Sequence, residues 1–357
     1  MSSAPVKTLY GVDVASQVRL WTLGNGDRER WDAFVASCPE ATFFHLTGWK
    51  NVLENVLGHP TCYLYAESSR GIEGVLPLAH VRSRLFGNAL VSTPFCVCGG
   101  VAATSEEARR ALEDEAERLA LSLGVDYLEL RNRTVRRTDW PVKDLYVSFR
   151  KAIHPDPEAN FKAIPRKQRA MVRKGIEAGL ESAIDDGIDR FYGAFAASQR
   201  NLGTPVSSKE YFRALKKEFG DRCEVMTVTR AGKVVASVMS FYFRDEVLPY
   251  YGGGPAEARE LKGNDFMYWE LMRRSAERGI RVFDYGRSKV GSGSYAFKKN
   301  WGFEPEPLPY QYRLVKRDTL PNVSPTNRYY RCAIGAWRRL PLPVANRLGP
   351  MLAKNLG

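Results

Sequence analysis

The residues best suited to chemistry stand together near the end of the chain, in Val282–Pro305, VFDYGRSKVGSGSYAFKKNWGFEP. An apolar run ends at Asp284, Arg287 and Ser288; a loop of small residues follows; then come Tyr295, Phe297, Lys298 and Trp301. A lysine bracketed by aromatic rings can supply positive charge where an oxyanion develops. A tyrosine can donate a hydrogen bond or protonate a leaving group. The loop reads as a phosphate cradle, a plain turn, or the frame of an acyl-transfer site. Its spacing goes against the first: Gly291 and Gly293 fit neither GxxxxGK[ST] nor GxGxxG. The bland alternatives are a structural ion pair for Asp284 with Arg287 and core packing for Phe297 and Trp301.

Other chemistries find little support. The histidines (His45, His59, His80, His154) all lie in the first half, so no histidine base is expected beside Lys298. The six cysteines are dispersed, and Cys96-Val97-Cys98 has no matching second pair, so neither a zinc site nor a disulfide framework is expected. The first residues, MSSAPVKTLYGVDVASQ, lack the apolar core of a secretory leader, and no apolar run is long enough to span a membrane. A cytoplasmic protein is the expectation, with the inner membrane surface as a second location.

Charge adds a partner class. The chain has 357 residues and a net charge of +13, which suggests a polyanion: nucleic acid, an acidic membrane or a phosphate-rich substrate. The segment Asn160–Gly179 carries Lys162, Arg166, Lys167, Arg169, Arg173 and Lys174 against one acid, Glu177. With Pro165 as the first helical residue, Arg166, Arg169 and Arg173 share a face suited to phosphate, and Ala170, Val172 and Ile176 anchor the helix. A merely solvated basic helix is the competing reading. The tail from Pro321 has Arg328, Arg331, Arg338, Arg339, Arg347 and Lys354 and no acid, interleaved with Tyr329, Tyr330 and Trp337. That composition suits a membrane or RNA contact, and a helical lid fits equally.

The elements that position these residues come twice. Helices are expected at Asp27–Ser37 and Gly48–Leu57, strands at Cys62–Glu67, Ile72–Val81 and Ala89–Thr93, a helix at Ser105–Leu123 capped by Ser105 and stopped by Gly124, and a strand at Tyr127–Leu130. The same order returns as helices Ile188–Asn201 and Ser208–Phe219, strands Val225–Arg230, Val234–Tyr242 and Val247–Tyr251, helix Asp265–Arg278 and strand Val282–Tyr285. Gly124 matches Gly279 and Glu129 matches Asp284, both 155 residues apart. Duplicated domains explain this economically: 18–155, 156–316 with the basic helix, and a tail, 317–357.

Several stretches resemble one family: TFFHLTGWKNVL (Thr42–Leu53), PRKQRAMVRKGIEAGL, GTPVSSKEYFRALKKEFG, and above all GNDFMYWELMRRSAERGIRVFDYGRS running into GSYAFKKNWGFEP. Together they resemble the Fem-type (FemABX-like) aminoacyltransferases over roughly Val18–Leu314, nearest the branch associated with exosortase/PEP-CTERM exopolysaccharide loci. The resemblance implies an α/β (α+β) fold of two tandem GNAT-like domains, each a mixed, mostly antiparallel sheet flanked by helices. It implies transfer of an acyl or aminoacyl group to an amine of a cell-envelope precursor. The donor would be aminoacyl-tRNA or acyl-CoA, with no resident cofactor. Where CoA enzymes carry an Arg/Gln-x-x-Gly loop, this chain reads ARELKGND, and the long helical arm of some tRNA-dependent members is missing.

In that frame Lys298 supplies positive charge to the oxyanion, Tyr295 serves the leaving group, and Asp284, Arg287 and Ser288 hold loop or substrate, with Phe297 against it. Arg166, Lys167, Arg169 and Arg173, helped by Trp49 and Lys50, would bind a phosphate-bearing or lipid-linked substrate. Tyr250 and Tyr251 end a strand where backbone can approach a ligand. The competing functions are a CoA-dependent acyltransferase on an amino sugar and a non-catalytic RNA- or membrane-binding adaptor.

Overall fold

In the computed structural model, residues 18–83, 87–321 and 328–355 are described. The N-terminal residues 1–17 and the side chains of Arg328, Tyr329, Tyr330, Arg331 and Cys332 lie outside the described residues. The first half runs β1 (Arg19–Thr22), α1 (Arg28–Ser37), α2 (Gly48–Asn55), β2 (Thr61–Ser68), β3 (Gly71–Ser83), β4 (Gly87–Ser92), β5 (Ala102–Ala103), α3 (Glu106–Leu123), β6 (Tyr127–Leu130) and β7 (Val142–Ala152). A helical bridge follows, α4 (Pro157–Ala163) and α5 (Arg166–Glu177). The second half runs β8 (Glu181–Asp185), α6 (Asp189–Leu202), α7 (Lys209–Phe219), β9 (Cys223–Arg230), β10 (Lys233–Phe243), β11 (Glu246–Gly253), α8 (Gly263–Glu277), β12 (Val282–Asp284), β13 (Ser288–Lys289), α9 (Gly293–Asn300) and β14 (Pro305–Leu314). The tail forms α10 (Arg328–Arg338) and α11 (Leu342–Ala353).

Local signals place most of these. The Ser105 hydroxyl accepts from the Ala108 N–H, and Gly124 ends α3 in the left-handed conformation. Gly279, its counterpart after α8, is also left-handed, with φ +80°. Those stops turn the chain directly into β6 and β12. Each of those strands pairs parallel with one neighbour, β6 with β4 and β12 with β11. The other strand pairs are antiparallel, so the sheet is mixed but mostly antiparallel, as expected.

The halves do not close separately. Their strands form one sheet in the order β1-β2-β3-β4-β6-β14-β7-β12-β11-β10-β9-β8. The last strand of each half is exchanged: β14 pairs with β6, β7 pairs with β12, and β14 pairs with β7 at the centre. Each half thus covers the other's open edge, which would otherwise invite foreign strands. The sequence reading put no strands at 142–152 or 305–314. The second carries Pro305, Pro307 and Pro309, which ordinarily argue against a paired strand. A boundary at 155/156 divides the sequence but not the sheet.

The basic helix differs in detail from its expectation. It begins at Arg166, with Pro165 as the cap residue rather than the first helical residue. Val172 is buried, but Ile176 is half exposed and anchors nothing. Gln168 and Gly175 take that place: Gln168 donates to Asp265 on α8, and Gly175 lies against Phe266.

One core group costs stability. Glu113 on α3 is 2% exposed, and one of its carboxylate oxygens lacks a partner. Burial raises its pKa to about 6, against the pull of Arg137 and Arg109. The folded value is above the unfolded one, so this group's contribution is fully present below the unfolded value and is lost as pH rises through 6. Glu113→Gln is therefore expected to raise stability at pH 8 by about 2 kcal/mol, with the gain vanishing near pH 4.5. Denaturant midpoints at the two pH values test this; an equal effect at both would refute it.

Candidate active site

β11 and β12 pair only at Glu246 with Val282 and Val247 with Phe283. Beyond that β11 continues to Gly253, while β12 ends at Asp284. The strands part, and a cavity of about 380 Å³ opens between them. Gly252–Gly254 form one wall, Ser198 of α6 another, and Asn264 and Tyr268 of α8 a third. Tyr285, the α9 residues Ser294, Phe297 and Lys298, and Leu202 and Arg259 also line it.

The GSGS loop is the cap of α9 rather than a phosphate cradle: the Ser292 hydroxyl accepts from the Tyr295 N–H. On α9, Ser294, Phe297 and Lys298 fall at spacings of three and four and share the cavity side. Tyr295, a quarter turn away, packs edge-on against Phe149 at 5.4 Å. The tyrosines that do line the cavity are Tyr268 and Tyr285, which the sequence reading did not single out. Burial pushes the Tyr268 phenol up to about 12, so it stays a hydrogen-bond donor at neutral pH. The Tyr285 hydroxyl and the Asn264 side-chain oxygen are both buried atoms without a partner among the described residues. Such orphans are costly unless a ligand or water satisfies them.

Lys298 is 9% exposed and lies 5.6 Å from the Phe149 ring centroid. Its ammonium donates to the carbonyls of Gly286 (3.0 Å) and Arg287 (3.1 Å). An ammonium has three donors and these bonds use two. Burial pulls its pKa down to about 8; Asp284 opposes that and Arg287 adds to it.

Asp284 does not bond to the lysine. Its carboxylate accepts from the Gly286 N–H at 2.7 Å and from Ser148 at 3.4 Å. It therefore holds the turn whose carbonyl holds Lys298. Burial raises its pKa, while the Gly286 N–H, Arg133, Arg150 and Lys298 pull the other way. The alternative reading, a structural ion pair between Asp284 and Arg287, is not what forms: Asp284 bonds to Gly286 and Ser148 instead. Arg287 stacks on Tyr146 at 4.4 Å and donates to the Tyr310 hydroxyl at 3.2 Å. Ser288 is buried in β13, its hydroxyl unpartnered.

The remaining candidates lie elsewhere. Arg166, Lys167 and Arg173 are exposed on α5; Arg169 donates to the Lys162 carbonyl, and Arg173 stacks on Phe161. None lines the cavity. What α5 does bring to the site is buttressing, because the Asp265 that accepts from Gln168 also accepts from Trp301 at the end of α9. Trp49 is fully buried among Phe43, Phe44, Phe219 and Phe241, and Lys50 is paired with Glu54. Tyr250 donates to the Phe95 carbonyl at 2.7 Å, and Tyr251 bonds to Tyr211.

The first half has its own cavity of about 220 Å³, with Gly100, His45, Arg131, Asn132 and Arg133 in its lining. Arg131 is bound to Glu129 and to the Cys96 carbonyl, both at 2.7 Å. Burial lowers the His45 pKa to about 4, so the ring is neutral, donating from Nε2 to the Gly100 carbonyl and accepting the Thr42 N–H at Nδ1. Its arginines, Arg131, Arg133 and Arg136, stand close together in the sequence, and the sequence reading passed over that cluster. Among the described residues no group of His, Cys, Asp and Glu could hold a metal ion, and no helix is long and apolar enough to cross a membrane.

Residues 162–299 match the family described as an acetyltransferase (GNAT) domain. The structure of FemX superposes with a TM-score of 0.66 at 14% identity, covering 84% of this chain and 98% of that one. The C-terminal domain of a putative lysylphosphatidylglycerol synthetase from Agrobacterium fabrum gives 0.55 at 13% identity, over 82% and 92%. A tandem GNAT protein from the clavulanic acid biosynthesis pathway gives 0.52 at 14%, over 85% and 100%. No curated protein matches the sequence. The chain thus has a tandem GNAT-like acyltransferase fold.

Proposed function

We propose that the protein is an acyl or aminoacyl transferase whose activated donor enters the cavity between β11 and β12. The observation that carries this reading is Lys298: a buried ammonium at the cavity wall, held by two backbone carbonyls with a third donor left over. The acceptor amine attacks the donor's ester or thioester carbonyl, forming a C–N bond. Lys298 stabilises the oxyanion of the tetrahedral intermediate. The intermediate then collapses, the C–O or C–S bond breaks, and the proton lost by the amine passes to the leaving group. Asp284 is a positioning residue in this scheme, acting through Gly286. Tyr268 or Tyr285, both in the cavity lining, serves the leaving group in place of Tyr295 in this scheme.

The acceptor we propose is an amine on a cell-envelope precursor of the peptidoglycan or exopolysaccharide kind, as the resemblance to the Fem-type enzymes implies. For the donor, aminoacyl-tRNA and acyl-CoA both remain in the proposal. Lys262 before α8 adopts a left-handed backbone, φ +58°, at the place where CoA enzymes carry glycine. Lys262 thus holds a backbone shape that ordinarily favours glycine. Single-turnover transfer of labelled alanine from alanyl-tRNA, and of labelled acetate from acetyl-CoA, to the amine of a nucleotide-linked muropeptide or amino sugar tests the reading. Transfer from either donor supports it and names the donor. Failure of both, with neither changing the thermal midpoint, would overturn it.

A further inference from the structure

The tail packs on α6 in an inverted way. α11 turns small residues inward: Ala345, Gly349 and Ala353 are buried. A Cβ on Gly349 would come within 2.7 Å of the Val206 carbonyl oxygen, so the helix axis is pressed against the body. The end of the helix is fixed as well, since His59 Nε2 bonds the Lys354 carbonyl at 2.6 Å. The large apolar residues face out instead: Val344 is 41% exposed, Leu348 41% and Met351 66%. Spacings of four and three put them on one stripe. The close approach leaves no room for rotation that would bury them.

Cations stand beside the stripe on α11, at Arg347 and at Lys354 after its last turn, and at Arg338 and Arg339 just before it in the chain. Arg338, Arg339, Arg347 and Lys354 are all exposed, and no acidic residue follows Asp318. Large apolar residues beside unneutralised cations on a fixed helix match the two attractions of a lipid interface: apolar insertion and anionic headgroups. A single-stranded RNA would use the cations but not the aliphatic stripe. The patch is also continuous with the cavity mouth. Arg338 donates to the carbonyl of Leu202, and Leu202 lines that mouth.

We infer that α11 and the end of α10 form a docking surface for an anionic bilayer, which holds the cavity mouth at the lipid–water interface. This inference stands apart from the acyl-transfer reading, since it concerns attachment and not chemistry. The test is flotation of the full chain with vesicles of phosphatidylcholine alone and of equal phosphatidylcholine and phosphatidylglycerol. Binding is expected with the anionic vesicles only, weakening as salt rises. The double variant Leu348→Ser/Met351→Ser removes exposed apolar groups and is expected to lose about tenfold or more in partitioning. Arg347→Gln and Lys354→Gln are each expected to lose roughly fivefold. Thermal midpoints should stay unchanged, because these side chains are exposed. Absence of binding to anionic vesicles would overturn the inference. So would binding unmoved by the double variant, or displaced by single-stranded RNA, or a self-association of the chain that the double variant abolishes in place of lipid binding.

Discussion

Lys298→Met is expected to lower the rate of group transfer by about 100- to 1,000-fold, the usual cost of removing one donor from an oxyanion site. Methionine fills similar space, so the cavity wall persists and the change removes charge rather than shape. The wild-type pH profile should carry an alkaline limb, because the ammonium titrates near pH 8 and activity that needs it falls above that value. Lys298→Arg keeps a cation that does not titrate in this range and should lose the limb. A Lys298→Met protein with wild-type rates would sink the assignment, as would a limb that survives unchanged in Lys298→Arg.

The same lysine carries a stability signature. Its folded pKa of about 8 lies below the ordinary 10.5. Between those values the unfolded chain holds the extra proton, so stability rises with pH across that window. At neutral pH the charged amine costs roughly 3 kcal/mol. Folds keep such a cost where function needs it. Lys298→Met should therefore leave the protein no less stable at pH 7 while it slows transfer.

Trp49→Ala is expected to destabilise the protein by about 3–5 kcal/mol, the cost of emptying a buried aromatic site. The indole is 0% exposed and lies within about 6 Å of four phenylalanine rings, Phe43 and Phe44 on the turn before α2, Phe219 on α7 and Phe241 on β10. That loss is a large fraction of the stability of an ordinary domain. Trp49→Phe should cost much less, because it also removes an indole N–H that has no partner among the described residues. Denaturant midpoints report the effect, and KM of the folded fraction should stay the same. The opposite pattern, a raised KM with a normal midpoint, would make Trp49 a substrate contact as its place in the resembling motif first suggested.

Trp49 shows how motif residues mislead. A tryptophan within TFFHLTGWKNVL attracts a binding role because aromatic residues bind ligands and fill cores equally well. Only the neighbours decide, and here they include Phe219 and Phe241, far along the chain. The basic helix teaches the same point. Its arginine spacing put three cations on one face, and the structure turns that face outward while the polar Gln168 goes in.

By itself the sequence determined most elements of the two halves and their double order. Caps such as Ser105, stops such as Gly124 and Gly279, and apolar periodicity act within a few residues of where they stand, so they are legible locally. The segment bearing Lys298 was legible too, because a lysine among aromatics after a strand end is a local pattern. Tertiary structure alone decided the exchange of β7 and β14, which sets Phe149 opposite Pro305. It decided that Tyr268 and Tyr285 line the cavity in place of Tyr295, a matter of one quarter turn on α9. It also decided that Asp284 grips a turn rather than Arg287. Each of these depends on which distant surfaces meet, and the free energy of that meeting is not written in any short stretch of residues.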